Sequence, residues 1–264
     1  MLLTLTATFA MSQAIRTVAA ILAAPLQAEF ALSLQQLGSF AGAFHFAFGA
    51  MQLFMGIDID LRGMRHTLLA AFPLAVAGAL LSALAPGYGT LMLGQVLIGI
   101  GCAPAFLVCT VFIARLPPAR FTALSGTIMS LGGIGLLATG TPRRRLAGFA
   151  LLLAGLFVTM AASSSAAFDV GVALAIGPLS GYMILQYSGV RSAYAAAVVG
   201  RALGLFTMAM FMGVALMQWF TGLVASLAQA RGADLYTEVL LTIAALLAAG
   251  APAFAWLPKA PPPG

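Results

Sequence analysis

Arg16 stands mid-way along an apolar run, in Met11-Ser-Gln13-Ala-Ile-Arg16-Thr17, nine residues before Pro25. Insertion scales put a central arginine at about 2.5–3.5 kcal/mol in a bilayer-spanning helix, so this one must face a watery cavity or a partner. No acid lies at the centre of any other apolar run, since Asp169 and Glu238 fall near run ends. The expected partner is an anionic ligand held by the bidentate guanidinium fork. Bonds to backbone carbonyls, or to Gln13 and Gln52, are the competing reading. His45, in Phe44-His45-Phe46, stands seven residues before Gln52 and so on roughly the same helix face, where the two could line a cavity opposite Arg16. A hydrogen-bonded core histidine is the alternative. Tyr182, Gln186 and Tyr187 are weaker candidates of the same kind.

A second cluster fills the break between two long apolar runs. Gly56 to His66 holds Asp58, Asp60, Arg62 and Arg65, four of the formal charges of a chain with 12 basic and 6 acidic residues. Such a stretch, with glycines at 56 and 63, reads as a tight loop facing water or a protein partner. An acid at the end of one helix can accept from the unpaired amides that start another, which makes a removable latch. Against this, Arg62 and Arg65 would be topology signals only and the two aspartates their solvated neighbours.

The elements that must position these groups are membrane helices. Only 7% of residues are charged, 62% are hydrophobic and the mean hydropathy is +1.07. A soluble domain would carry about 25% charged residues. Apolar runs fall at about 2–26, 35–56, 67–86, 89–114, 120–140, 146–163, 168–188, 199–228 and 235–257, several exceeding the roughly 20 residues a spanning helix needs. The expected fold is all-α, a polytopic transmembrane bundle of about nine spans. The sixth run, the shortest and followed by Ser163-Ser-Ser165, is the one expected to be interfacial or re-entrant. Residues 258–264, rich in proline, read as a disordered tail. Gly94, Gly99 and Gly101 with Ala103, then Gly126, Gly132, Gly133 and Gly135, are small residues that let helix backbones approach closely, for packing or for sliding.

The same inventory excludes other classes. The basic residues are scattered at run ends, which fits the positive-inside rule and no nucleic-acid footprint. Cys102 and Cys109 lie two turns apart in one run, too far for a disulfide between intact helical turns. The N-terminus lacks a basic segment, so the first run is expected to stay as a helix. No H-E-x-x-H, G-x-S-x-G or nucleotide-phosphate loop occurs, so no catalytic residue, metal or cofactor is assigned and an enzyme is not expected.

Gly56, Asp60, Gly63 and Arg65 stand at the spacing G-x-x-x-D-x-x-G-x-R directly after the second run, which resembles the signature loop of the major facilitator superfamily between its second and third helices. Leu61 and Met64 replace basic residues usual there. Gln95, Gly99 and Gly101 resemble the family's R-x-x-x-G-x-G helix with glutamine in the arginine's place, which argues against proton antiport. The glycine-rich run holding Gly132 and Gly133 is similar to the family's fifth helix without the G-P pair of drug antiporters. The first run looks like that of members in which an arginine grips organic anions or sugar phosphates. Gly200-Arg-Ala-Leu-Gly204 is similar to the start of the eleventh helix, the partner the latch acid would meet.

The resemblance implies a secondary transporter of a small solute, an organic anion through Arg16, working by alternating access in a lipid bilayer, with the bacterial inner membrane as its expected seat. Residues 1–140 resemble helices 1–5 and residues 141–257 helices 9–12, as though helices 6–8 were lost. The alternative is a transport-inactive truncated remnant or a membrane interaction partner. Charge placement raises a conflict. With the N-terminus inside, nine spans put Arg62, Arg65, Arg115 and Arg120 inside, but Arg143–Arg145, Arg191 and Arg201 outside. A homodimer of oppositely inserted chains would reconcile the two blocks, and loss of an odd number of helices is the simpler account.

Overall fold

The structure, a computed structural model, describes residues 22–114, 143–179, 186–187, 190, 194 and 199–256. Arg16, Gln13, Gly132, Gly133, the run at 120–140 and the tail 258–264 lie outside these. Every regular element among the described residues is helical: α1 (Ala23–Glu29), α2 (Leu34–Arg62), α3 (Met64–Ala83), α4 (Tyr88–Ala114), α5 (Arg143–Ala161), α6 (Ala166–Leu179), α7 (Val199–Ala230) and α8 (Leu235–Trp256). Five are long and apolar enough to cross a membrane, namely α2, α3, α4, α7 and α8, while α5 and α6 contribute shorter apolar stretches, Ala147–Ala161 and Ala166–Ile176. The chain is a helical integral membrane protein. Against about nine spans expected, the described residues hold these five candidate spans and two shorter apolar helices.

The chain divides into two compact units, residues 1–115 with 196–226, and residues 116–195 with 227–264. In the first, α2 begins at a capping box in which Ser33 Oγ accepts from the Gln36 amide and Gln36 Oε1 from the Ser33 amide. No proline interrupts its 29 residues. At 1.5 Å per residue that is about 43 Å, more than the hydrocarbon thickness. α2 therefore runs on through the stretch expected to be a loop. Gly56 to Arg62 is helical, because Asp58 and Arg62 pair at i,i+4 across 3.3 Å and nothing in Ile57–Leu61 breaks a helix. The break is one residue, Gly63, at φ +86°, a backbone conformation a side chain would strain.

α4 is the central helix of this unit, with residues 101–111 buried throughout. It packs antiparallel to α3 and parallel to α2. A Cβ built on Gly101 would run into the backbone of Ala75, and one on Gly99 would stand 2.6 Å from the Phe44 carbonyl. Pro73 and Pro104 sit inside α3 and α4, a placement that apolar bundles tolerate because neighbouring groups take up the freed carbonyls. Large side chains such as Phe54, Leu61, Leu69 and Leu80 are exposed on α2 and α3, as a lipid-facing surface requires.

The second unit pairs α5 antiparallel with α8. Thr237 Oγ1, at the start of α8, donates to the Ala161 carbonyl at the end of α5 (3.3 Å). At the other end, Ala147 and Ala150 share a small apolar cavity of about 210 Å³ with Leu246, Gly250, Ala251 and Phe254, and Gln186 is its polar member. Asp234 caps α8 by accepting from the Thr237 amide (2.9 Å), and these bonds to Thr237 hold its carboxyl below the usual range.

Candidate functional site

Gln52 and Thr207 are the fully enclosed polar side chains among the described residues of the first unit, both at 0% exposure. Thr207 Oγ1 donates to the Leu203 carbonyl (2.7 Å), and Gln52 is the larger group to satisfy. Gln52 Nε2 donates to the carbonyls of Phe48 one turn back (3.3 Å) and of Ala103 on α4 (3.1 Å). Two carbonyls facing the amide nitrogen fix the orientation, since an oxygen turned toward them would be repelled. Oε1 is left buried with no hydrogen-bond partner among the described residues. An unmet acceptor of this kind costs about 1–3 kcal/mol, and a bilayer offers no water to relieve it.

Aromatic rings of α2, α4 and α7 gather on the same stretch of α2. Phe48 meets Phe211 of α7 at 4.4 Å between centroids, and Phe106 of α4 meets Phe211 edge-on at 5.8 Å. His45, half-buried, stacks on Phe211 at 6.2 Å, and its Nδ1 lies 3.0 Å from the Ala41 carbonyl. Thus of the four residues expected to line a cavity, the structure brings His45 and Gln52 to one aromatic cluster, with His45 directed to α7 and Gln52 bonded to α4. Arg16 and Gln13 lie outside the described residues. Gln95 is buried on α4.

α2 and α7 meet along a seam of glycines. A Cβ at Gly38 would stand 2.6 Å from the Gln218 carbonyl and 2.9 Å from Gly222 Cα; at Gly42, 3.1 Å from the Ala215 carbonyl; at Gly49, 2.9 Å from Phe211 Cβ. Gly204 approaches the Gln52 carbonyl, 3.6 Å from where its Cβ would be. Positions rising along α2 meet positions falling along α7, so the helices are antiparallel. The first turn of α7 lies toward the Gly63 end of α2, which is the direction the latch reading needed.

At that end the expected switch residues separate. Gly56 is buried inside α2 with Leu107 of α4 opposite, and Gly63 is the turn itself. Asp60 and Arg65 are exposed. The acid that bridges the turn is Asp58, which pairs with Arg62 and accepts from Thr67 Oγ1 on α3 at 2.8 Å. Thr67, 1% exposed, also donates to the Gly63 carbonyl (3.1 Å). Beneath them Ile59, Leu107, Val108 and Val111 form a buried cluster joined by Met55, Met64 and Leu68. The motif spacing points to Asp60 as the latch acid and leaves Thr67 unmarked, with Asp58 entering only in the competing reading as a solvated neighbour. The i,i+4 spacing of Asp58 and Arg62 was the available signal.

The family model described as sugar (and other) transporter matches residues 4–139, just over half of the chain. Polyol transporter 5 of Arabidopsis thaliana is 33% identical over 84 residues, covering 32% of this chain and 16% of that protein. The chain therefore matches well under two thirds of that relative's length. No solved structure matches. The helical bundle, the glycine-packed α2, α3 and α4 and the turn at Gly63 fall within the matched residues, and the chain belongs to the sugar (and other) transporter family of the major facilitator superfamily.

Proposed function

We propose that this chain acts as a secondary carrier that moves a small hydroxyl-bearing solute across a bilayer by alternating access. The observation that carries the reading is the orphaned Oε1 of Gln52. A solute hydroxyl is the complementary donor, and the Phe48, Phe106 and Phe211 rings supply an apolar wall of the kind that faces of a polyol chain or sugar ring pack on. Family membership and the printed name of the plant relative support the same class. In this reading the α2–α7 glycine seam lets the two helices shift, Gly63 is the hinge, Gly56, Asp60 and Arg65 belong to the switch, and Gln95, Gly99, Gly101, Gly132 and Gly133 keep the bundle smooth. A seat in a bacterial inner membrane is part of the proposal, although the relative is a plant protein.

The test is uptake of a radiolabelled polyol into proteoliposomes by wild type and by Gln52→Leu, with thermal unfolding of both. Saturable uptake lost in Gln52→Leu, with the unfolding transition kept or raised, supports the reading. A second reading, an organic anion held by Arg16 with Gln13, is favoured by the lack of any mid-run acid to neutralise that arginine. It replaces the first if an organic acid is taken up saturably, Arg16→Ala abolishes that uptake, and the polyol is ignored. If neither solute is bound, the chain is a transport-inactive membrane partner and both readings fall.

A further inference from the structure

We propose that the cluster around Gln52 is a donor-selecting site, which takes a neutral solute through its O–H groups and turns away carbonyls and carboxylates. This assignment rests on the carrier reading and adds to it the polarity of the group recognised. Gln52 has two amide hydrogens, and two carbonyl oxygens stand at its Nε2, that of Phe48 at 3.3 Å and that of Ala103 at 3.1 Å. Both are main-chain groups, one on α2 and one on α4, so neither can rotate away. Turning the amide over would set Oε1 against both oxygens. The end left for a ligand is therefore the acceptor, and Oε1 is the atom with no partner among the described residues.

The neighbouring polar side chains repeat this polarity. Gly204 approaches the Gln52 carbonyl and Phe211 meets Phe48, and Thr207 lies between those two positions on the same face of α7. Its hydroxyl donates to the Leu203 carbonyl at 2.7 Å. His45, two turns before Gln52 on α2, has Nδ1 at 3.0 Å from the Ala41 carbonyl, so in the neutral ring that nitrogen carries the hydrogen and Nε2 is the acceptor. Bonds of a hydroxyl back into its own helix are ordinary. The bond of Gln52 across to α4 is not, and with it all three groups agree: each gives its hydrogens to backbone oxygen and keeps lone pairs. The rings of Phe48, Phe106 and Phe211 add faces of negative polarity.

Such surroundings discriminate between ligands. A hydroxyl brings the hydrogen that these acceptors lack. A carbonyl or carboxylate oxygen brings lone pairs against lone pairs and ring faces, and is buried unpaired. A cation meets no counter-charge there, because the first acid after Gln52 on α2 is Asp58, which is engaged with Arg62 and Thr67 at the Gly63 turn. The class that fits is a neutral polyhydroxylated solute, with one of its hydroxyls donating to Gln52 Oε1.

The experiment scans a polyol for the hydroxyl that meets Gln52. Inhibition of radiolabelled glucitol uptake into proteoliposomes is measured with monodeoxy and monodeoxyfluoro glucitols, one position at a time, for wild type and for Gln52→Met, which keeps the length of the side chain and removes the acceptor. Fluorine can accept a hydrogen bond but cannot donate one. At one position both analogues should inhibit about tenfold or more weakly than glucitol, the fluoro no better than the deoxy, and the gap should close in Gln52→Met. Fluoro analogues that match glucitol wherever the deoxy analogues fail overturn the proposal, because the site would then be the donor, and so does a gap that persists in Gln52→Met. A second measurement needs neither transport nor a folded variant of altered activity. In wild type carrying isotope-labelled glutamine, both side-chain amide hydrogens of Gln52 should resonate downfield of those of exposed Gln36 and resist exchange with solvent. Shifts and exchange like those of Gln36 overturn the proposal. Bonded amide hydrogens with no uptake of glucitol would sink the carrier reading and uphold the polarity assigned to Gln52.

Discussion

Gly38→Ala should destabilise the protein although alanine is the better helix former. At Gly38 the new Cβ would meet the Gln218 carbonyl at 2.6 Å, about 0.8 Å inside the 3.4 Å of ordinary contact, and Gly222 Cα at 2.9 Å. Both obstacles are backbone, so no rotamer change relieves them and α2 must move from α7. Overpacking of this kind costs about 1–3 kcal/mol. The gain in helix propensity offsets about 1 kcal/mol. Gly213→Ala on α7 is the matched control, because nothing lies within 4 Å of its Cβ and only the propensity gain remains. The two variants should therefore differ by about 1–3 kcal/mol, roughly 3–9 °C in melting temperature for a chain of this length. Cys102 and Cys109 are buried on α4, so a thiol-reactive dye followed during heating reports unfolding. Equal melting temperatures, or a more stable Gly38→Ala, would refute the close seam.

Other perturbations test the turn and the cap. Thr67→Val removes the donor to Asp58 and should cost about 1.5–3 kcal/mol, the range for a hydrogen bond to a charged group. Arg62→Ala breaks an exposed i,i+4 pair and should cost under about 1 kcal/mol in the same melt, so the reverse ranking would show that the ion pair, not the threonine, holds the turn. Asp234 has a folded pKa below its ordinary 3.8, so its contribution to α8 is present above that value and is lost as pH falls through the lower folded one. Protection of the Thr237 amide from hydrogen exchange, corrected for the intrinsic rate, should fall in wild type as pH drops through that acid window and stay level in Asp234→Asn, and the same pH dependence in both would contradict the cap.

Much of the bundle was legible because bilayer length and low charge are properties of a single segment. The apolar runs at 67–86, 89–114 and 235–257 reappear as α3, α4 and α8 within a few residues. Gly99 and Gly101 were legible as packing positions, but their partners, Phe44 and Ala75, were not, since small residues advertise close approach without saying to what. The stretch 56–62 misled because charges and a glycine suggest a loop, whereas the helix there is kept by an i,i+4 pair and by burial of Gly56 and Ile59 against α4. Asp58 rather than Asp60 faces α3 because helical phase, read against a neighbour across the turn, decides which of two acids two residues apart points inward.

What the sequence by itself determined is the membrane seat, the helical class, the break near Gly63 and membership of a transporter family, because each rests on composition, period or local spacing. Only the tertiary structure decided that Gln52 keeps an acceptor unmet by any described residue, that Thr67 and Asp58 close the turn, and that α7 runs antiparallel to α2. Hydrogen-bond satisfaction and helix direction depend on which surface lies opposite, and residues 52 and 103, or 38 and 222, become neighbours only when the chain has folded.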